Sequence, residues 1–271
     1  MKTLYVSDLD GTLLQSDATL SAFTAETVNA LTERGMLFSY ATARSQYTAG
    51  AITASLAKTI PVIIYNGTFI LENGTQRILQ GNCFPKEDAA HVLRVFTEGG
   101  VYPFVYAHVD GAERASYVPD RLSSDMQRFA DGRTEDARMR PCAETEMPDG
   151  EVFHFVAMDT AEHLLPIYEA LRETFPCYYT IDMYTKSPWL EVYPRGVSKA
   201  NAVLQLKKLL GCDRVVCFGD GKNDLSMFAI ADECYAVENA APELKAAATA
   251  VIGKNDEDAV AKWLLEHYAE V

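Results

Sequence analysis

The sequence predicts an α/β protein, a core built on a parallel sheet and interrupted by an inserted α+β unit. Three observations carry this expectation. Short apolar runs alternate with helical stretches near the N-terminus, the alternation breaks off after about residue 82, and it resumes beyond Pro188. The expected bounds are residues 1–82 and 189–271 for the core and 83–188 for the insertion.

Leu4–Ser7 is the first run, short and largely apolar as a strand covered on both faces should be. Ala22–Arg34 follows as a helix, with Thr24, Val28 and Leu31 at helical spacing, Ser21 placed to cap it and Gly35 to stop it. Met36–Ala41 is the second strand, Ser45–Lys58 the second helix and Pro61–Tyr65 the third strand, an order that implies right-handed parallel crossovers. Phe69–Leu71 and Arg77–Leu79 flank Asn73-Gly74, a hairpin signal. In the insertion, helices are expected from Pro85 to Glu98, Arg121 to Ala130 and Glu162 to Thr174. Strands are expected at Tyr102–His108, Ala115–Val118, Val152–Met158 and Tyr178–Thr185, with a polar loop from Asp131 to Gly150. The core then resumes with strand Trp189–Tyr193, helix Ser198–Leu210, strand Arg214–Phe218, a helix near Asp224–Ala231, strand Tyr235–Val237 and helix Asp258–Tyr268.

The 48% hydrophobic and 23% charged residues are ordinary for a globular chain. With 24 Lys+Arg against 38 Asp+Glu the net charge is −14, which argues against nucleic acid and anionic membrane as partners. A small anionic ligand answers to a local field and is not excluded. No apolar stretch approaches the ~20 residues of a membrane span, and the first residues lack the apolar run of a signal peptide. A cytoplasmic protein, monomer or small homo-oligomer, is the expectation. Cys83, Cys142, Cys177, Cys212, Cys217 and Cys234 form no C-x-x-C pair, so reduced and mostly buried thiols are expected.

In an open parallel sheet, ligands bind beyond the carboxyl ends of the strands. The first strand ends in Ser7-Asp8-Leu9-Asp10-Gly11-Thr12, and the strand from Arg214 ends in Gly219-Asp220-Gly221-Lys222-Asn223-Asp224. Carboxylates ~4 Å apart repel by ~4 kcal/mol at an effective dielectric of ~20, so three converging would cost on the order of 12 kcal/mol. A hard dication removes that cost, and an all-oxygen site suits Mg²⁺. Asp220 onward is no calcium loop, because Leu225 and Ala231 stand where glycine and glutamate are required. Ala41-Thr42-Ala43-Arg44 brings a hydroxyl and a helix N-terminus, favourable to an anion, and Tyr65-Asn66-Gly67 closes the third strand. Gly196-Val197-Ser198-Lys199 places an ammonium at the start of a helix, where an anion or the acidic cluster is its natural partner. A dication, a nucleophilic carboxylate, a hydroxyl and a lysine are equipment for phosphoryl transfer.

These segments, Asp8–Leu13, Ala41–Arg44, Asn66-Gly67, Gly196–Lys199 and Gly219–Asp224, resemble the ordered motifs of the haloacid dehalogenase-like (HAD) superfamily. More narrowly they resemble its Cof-type sugar-phosphatase branch, with a Rossmann-like core and a type IIB cap. The C-terminal Ala236–Lys245 and Asn255–Val260 resemble that branch too. The resemblance covers the core; the cap matches in placement and size.

The resemblance implies a phosphomonoesterase acting on a small phosphorylated metabolite, a sugar phosphate above all, through an aspartyl-phosphate on Asp8. Asp10 would be acid to the leaving alkoxide and then base toward water. Leu9, Thr42, Ala43, Arg44, Asn66, Lys199 and Asn223 would contact phosphoryl group or substrate. Mg²⁺ would be held by Asp8 and Asp220, by Asp10 through its backbone carbonyl, and by Asp224 as an outer or water-mediated ligand. The inserted cap would close over the leaving group. Two departures stand out: Ala43 replaces the usual glycine of Thr-Gly-Arg, and Val237-Glu238-Asn239 replaces Met-Gly-Asn, adding a carboxylate.

Plainer readings stand beside these. Asp-x-Asp-Gly alone is equally a turn, Asn66-Gly67 can be only a turn, and Asp224 can be a helix cap. His91, His108, His154, His163 and His267 show no ligand spacing and read as solvated or core residues. Tyr184, Ser187 and Trp189 could line a substrate pocket, though packing is the simpler role. A phosphomutase on the same core, or a non-catalytic metabolite sensor, would use much of the same architecture.

Overall fold

The computed structural model describes residues 1–181 and 186–268. The chain divides into two compact units, Met1–Gly81 together with the chain from Val197 onward, and Asn82–Gly196. Core strand β1 (Thr3–Ser7) leads through α1 (Ala22–Glu33) to β2 (Leu37–Tyr40), and α2 (Gln46–Ile52) leads to β3 (Val62–Ile64). The Ser21 hydroxyl accepts the Thr24 N–H and starts α1; Ser45 does the same for α2 through Thr48. β4 (Phe69–Leu71) and β5 (Ile78–Gly81) extend β3 as an antiparallel meander.

The inserted unit holds α3 (Lys86–Glu98), β6 (Phe104–Val109), β7 (Ala112–Tyr117), α4 (Ser124–Asp131), β8 (Met139–Pro141), β9 (Glu151–Met158), α5 (Ala161–Leu171), β10 (Cys177–Ile181) and β11 (Pro188–Val192). Its sheet runs β10-β11-β9-β6-β7-β8. Phe155 of β9 packs against Phe84, and stacks on Phe96 of α3 at 6.2 Å.

The core resumes with α6 (Lys199–Leu210), β12 (Arg214–Gly219), α7 (Leu225–Phe228), β13 (Glu233–Ala236), α8 (Pro242–Ala247), β14 (Ala250–Val251) and α9 (Ala259–His267). Its sheet is parallel throughout, in the order β14-β13-β12-β1-β2, with β3 joined to the end of β2 by a parallel bridge between Ala41 and Ile63. Leu4, Val6 and Val215–Phe218 are buried completely or nearly so. Each such apolar side chain contributes on the order of 1.5–3 kcal/mol. Two central strands covered on both faces therefore hold their own carboxyl ends firmly in place, and Asp8 and Asp220 directly follow those ends.

Several expectations are corrected. Trp189–Tyr193, expected in the core, is β11 of the inserted unit, paired with β9 and β10. Pro188 misled because it looked like a boundary; it is the first residue of the strand, where a missing N–H is tolerated. The return to the core comes after Gly196, whose φ is +76°. The polar stretch from Asp131 to Gly150 contains β8, too short to show alternation and ending at Pro141. Helix α7 is four residues long, much shorter than expected. The unpredicted α8 begins on Pro242, in an alanine-rich segment without apolar periodicity. Only Cys217 and Cys234 are buried; the other four thiols are half-buried, and all six are free. Among the described residues no helix is long and apolar enough to cross a membrane.

Candidate active site

The first residue beyond β1 is held by its neighbours. Asp8 donates its N–H to the Phe218 carbonyl at 2.9 Å, which fixes it beside the end of β12. The chain then makes one wide turn over Leu9–Leu13, closed by the Leu14 N–H on the Leu9 carbonyl at 2.9 Å. Gly11 sits in this turn at φ +71°, and a Cβ there would lie 2.4 Å from an Asp220 carboxylate oxygen. Only glycine permits that approach. Thr12 completes it by donating its hydroxyl to Asp220 Oδ1 at 3.0 Å.

Carboxylate oxygens of Asp8, Asp220 and Asp224 lie within 4.8 Å of one another. Lys199, the first residue of α6 and fully buried, donates from Nζ to Asp8 Oδ1 and to Asp224 Oδ1, each at 2.6 Å. Asp224 is buried too, and its Oδ2 accepts the N–H groups of Asp220 (3.0 Å) and Gly221 (2.9 Å). It therefore shapes the loop after β12 as well as facing the cluster, and its side chain makes no capping hydrogen bond to α7.

Gly67 explains how α6 comes to the site. At φ +100°, its missing Cβ would lie 2.2 Å from the Ser198 carbonyl oxygen, so the Asn66-Gly67 turn and the start of α6 close on each other. Asn66 takes a left-handed conformation (φ 53°) that asparagine tolerates, and its Oδ1 accepts Asn223 Nδ2 at 3.1 Å. The turn thus joins two expected phosphate-contacting residues. Thr42 is fully buried, and its hydroxyl accepts the Arg44 N–H at 3.1 Å. Leu9 buries its side chain completely, leaving only its backbone for a ligand, and Ala43 is half-buried.

Asp10 lies apart from the acidic cluster. Its carboxylate accepts Arg44 Nε at 2.7 Å and Nη2 at 2.5 Å. Arg44, expected to contact phosphoryl group or substrate, is the residue that grips the Asp10 carboxylate. Asn239 and Asn255 escaped the sequence reading. Asn239 Nδ2 donates to the Gly11 carbonyl at 2.7 Å, its Oδ1 accepts the Asn255 N–H at 3.1 Å, and Asn255 Nδ2 donates to the Leu14 carbonyl at 3.0 Å. Both lie in C-terminal segments already singled out, which was the available signal. Glu238, the extra carboxylate, is exposed. Trp189 packs edge-on against Phe129 at 5.6 Å and Ser187 is buried; Tyr184 lies outside the described residues.

Burial pushes the Asp8 carboxyl well above the usual carboxylate range; Lys199 opposes this while the charges of Asp224 and Asp220 reinforce it. Burial, then the Asp224 charge, raise Asp220 to about 6. Burial works against the Lys199 charge, but Asp224 and Asp8 outweigh it and the ammonium is held above its ordinary value. When all three carboxylates are ionised, one ammonium leaves two negative charges in excess, the charge one dication cancels. The donors are all hard oxygens, so the set fits Mg²⁺.

The family model for haloacid dehalogenase-like hydrolases matches residues 5–264. The chain is 29% identical over 273 residues to the HMP-PP phosphatase of Serratia proteamaculans, covering 97% of this chain and 94% of that protein. It is 26% identical over 283 residues to the 5-amino-6-(5-phospho-D-ribitylamino)uracil phosphatase YwtE of Bacillus subtilis, covering 95% of each. The fold matches the solved subclass IIB sugar phosphatase BT4131 with a TM-score of 0.76, at 19% identity and 98% coverage of both chains. Motif order, parallel core, inserted unit and a match over nearly the whole length agree, and the chain belongs to the haloacid dehalogenase-like hydrolases, in their Cof-type branch.

Proposed function

We propose that this protein is a Mg²⁺-dependent phosphomonoesterase that hydrolyses a small phosphorylated metabolite, a sugar phosphate by preference, through an aspartyl-phosphate on Asp8. The observation that carries the reading is Lys199 bridging Asp8 and Asp224 at 2.6 Å, in a buried cluster whose excess charge calls for a cation. The names of the relatives, phosphatases of phosphorylated small molecules, support the same class.

In the first half-reaction an Asp8 oxygen attacks phosphorus, the bond from phosphorus to the ester oxygen breaks, and Asp10 gives a proton to the departing alkoxide. In the second, Asp10 takes a proton from the water that attacks the aspartyl-phosphate; inorganic phosphate leaves and the Asp8 carboxylate returns. Arg44 holds Asp10 in one orientation for both transfers. Lys199, Thr42 and Asn223 hold the phosphoryl oxygens, with Asn223 itself steadied by Asn66. Asp8, Asp220 and the Asp10 carbonyl would hold Mg²⁺, with Asp224 as an outer or water-mediated ligand, and the ion would supply neutralising charge to the phosphoryl group.

The test is turnover across phosphorylated sugars, nucleotides and pyridoxal phosphate, with Mg²⁺ and with EDTA. Phosphate release that EDTA abolishes is expected. Conversion of a sugar phosphate to its isomer without phosphate release would make the protein a mutase, and binding without turnover would make it a sensor.

A further inference from the structure

The inserted unit carries a second group of potential ligands, chemically unlike the carboxylates of the core. Cys83 Sγ, a ring nitrogen of His108 and a carboxylate oxygen of Glu151 all lie within 4.8 Å of one another. Three features of the backbone bring these distant residues together. His108 on β6 stands opposite Glu151 on β9. That pairing depends on an irregularity: Tyr106 faces His154 but the next residue, Ala107, faces Val152, so Phe153 is skipped and Glu151 is carried to the His108 side. Gly150, at φ +81°, lets the start of β9 approach, since a Cβ there would lie 2.3 Å from the His108 carbonyl oxygen. Finally, the Phe84 N–H donates to the Val152 carbonyl at 2.7 Å, anchoring the segment that carries Cys83 against the strand that carries Glu151.

The donor set decides the ion. One thiolate, one imidazole and one carboxylate, with a fourth position for water, match a tetrahedral borderline-soft cation and discriminate against Mg²⁺ and Ca²⁺. Cys83 and His108 are half-buried and Glu151 is exposed, so an ion can enter and water can complete the shell. We propose that Cys83, His108 and Glu151 form a Zn²⁺-type site, separate from the Mg²⁺ site of the core, that staples the entry segment of the inserted unit to β6 and β9. Burial and the Glu151 charge push the Cys83 thiol up to about 11, so a proton occupies the sulfur until a dication displaces it.

Cobalt replaces zinc as the probe, because only a thiolate ligand gives a sulfur-to-cobalt charge-transfer band in the near ultraviolet, alongside the visible bands of a tetrahedral ion. The purified wild-type chain should develop both at one equivalent of Co²⁺, with Mg²⁺ present throughout, and Zn²⁺ should abolish them. Cys83→Ser should lose the ultraviolet band, while His108→Ala and Glu151→Gln should weaken binding at least about tenfold, the scale of losing even an outer partner of a metal ligand. Absence of the band in the wild-type chain, or its persistence in Cys83→Ser, overturns the proposal. A second measurement needs no variant: Zn²⁺ should slow alkylation of Cys83, mapped by peptide mass spectrometry, and leave Cys142 unaffected. Equal alkylation of Cys83 with and without Zn²⁺ overturns it as well.

Discussion

Arg44 grips Asp10 through two parallel hydrogen bonds, Nε to one carboxylate oxygen at 2.7 Å and Nη2 to the other at 2.5 Å. The forked geometry fixes the carboxylate plane, which a single donor cannot do. A proton-transferring carboxylate needs that fixity, since misplacement of about 1 Å can cost about 10²-fold. Arg44→Ala should therefore lower kcat by about that factor with a smaller change in KM, and Arg44→Lys should recover only part of the loss. An unchanged kcat in Arg44→Ala would remove the positioning role.

Lys199 is the one cation in contact with the buried Asp8 and Asp224 among the described ion pairs. Removing one partner of a buried ionic cluster leaves uncompensated charge and costs roughly 3–5 kcal/mol. Lys199→Ala should lower stability by that order in EDTA, recover part of it with Mg²⁺, and lose about 10²–10³ in kcat even when folded. Thermal unfolding with and without Mg²⁺, together with turnover, measures both. Wild-type stability in EDTA would contradict the burial argument.

The acidic cluster also sets a pH dependence. Asp220 is raised from 3.8 to about 6, so the unfolded chain ionises this group more readily than the folded one. With no cation bound, the Asp220 contribution favours the folded state at low pH and is lost as pH rises between those two values. Mg²⁺ needs the ionised carboxylates, so its affinity should run the other way and weaken as pH falls below about 6. The rise in Tm caused by Mg²⁺ should thus be small near about pH 5 and large near about pH 7.5. A Tm increment that does not change with pH would refute the carboxylate assignment.

Gly11 ties local backbone to the proposed metal site. Its φ of +71° costs a Cβ-bearing residue about 1–2 kcal/mol, and the Cβ would also collide with the Asp220 carboxylate. Gly11→Ala should leave the circular dichroism spectrum intact but weaken Mg²⁺ binding, measured by calorimetry. Undiminished affinity would mean that Asp220 does not hold the ion.

The core strands were legible because Leu4–Val6 and Val215–Phe218 are apolar without interruption, and the ligand edge followed from their direction. Asp8, Lys199, Asp220 and Asp224 could be named because each lies one or two residues from a strand end or opens a helix. The partner of Asp10 could not be read that way, since Arg44 reaches it by side-chain length from another loop. β11 went to the wrong unit because the alternation of buried Leu190 and Val192 says strand without saying which sheet. His108 showed no ligand spacing for a similar reason: Cys83 and Glu151 meet it only through strand pairing and a bulge.

The most direct measurement is to acid-quench the enzyme during turnover, reduce it with borohydride and map the peptides by mass spectrometry. An acyl phosphate becomes a homoserine residue under that treatment. Homoserine should appear at position 8 of the wild-type chain and nowhere in Asp8→Asn, which should also release no phosphate. Homoserine at another carboxylate, or phosphate release by purified Asp8→Asn, would contradict covalent catalysis by Asp8.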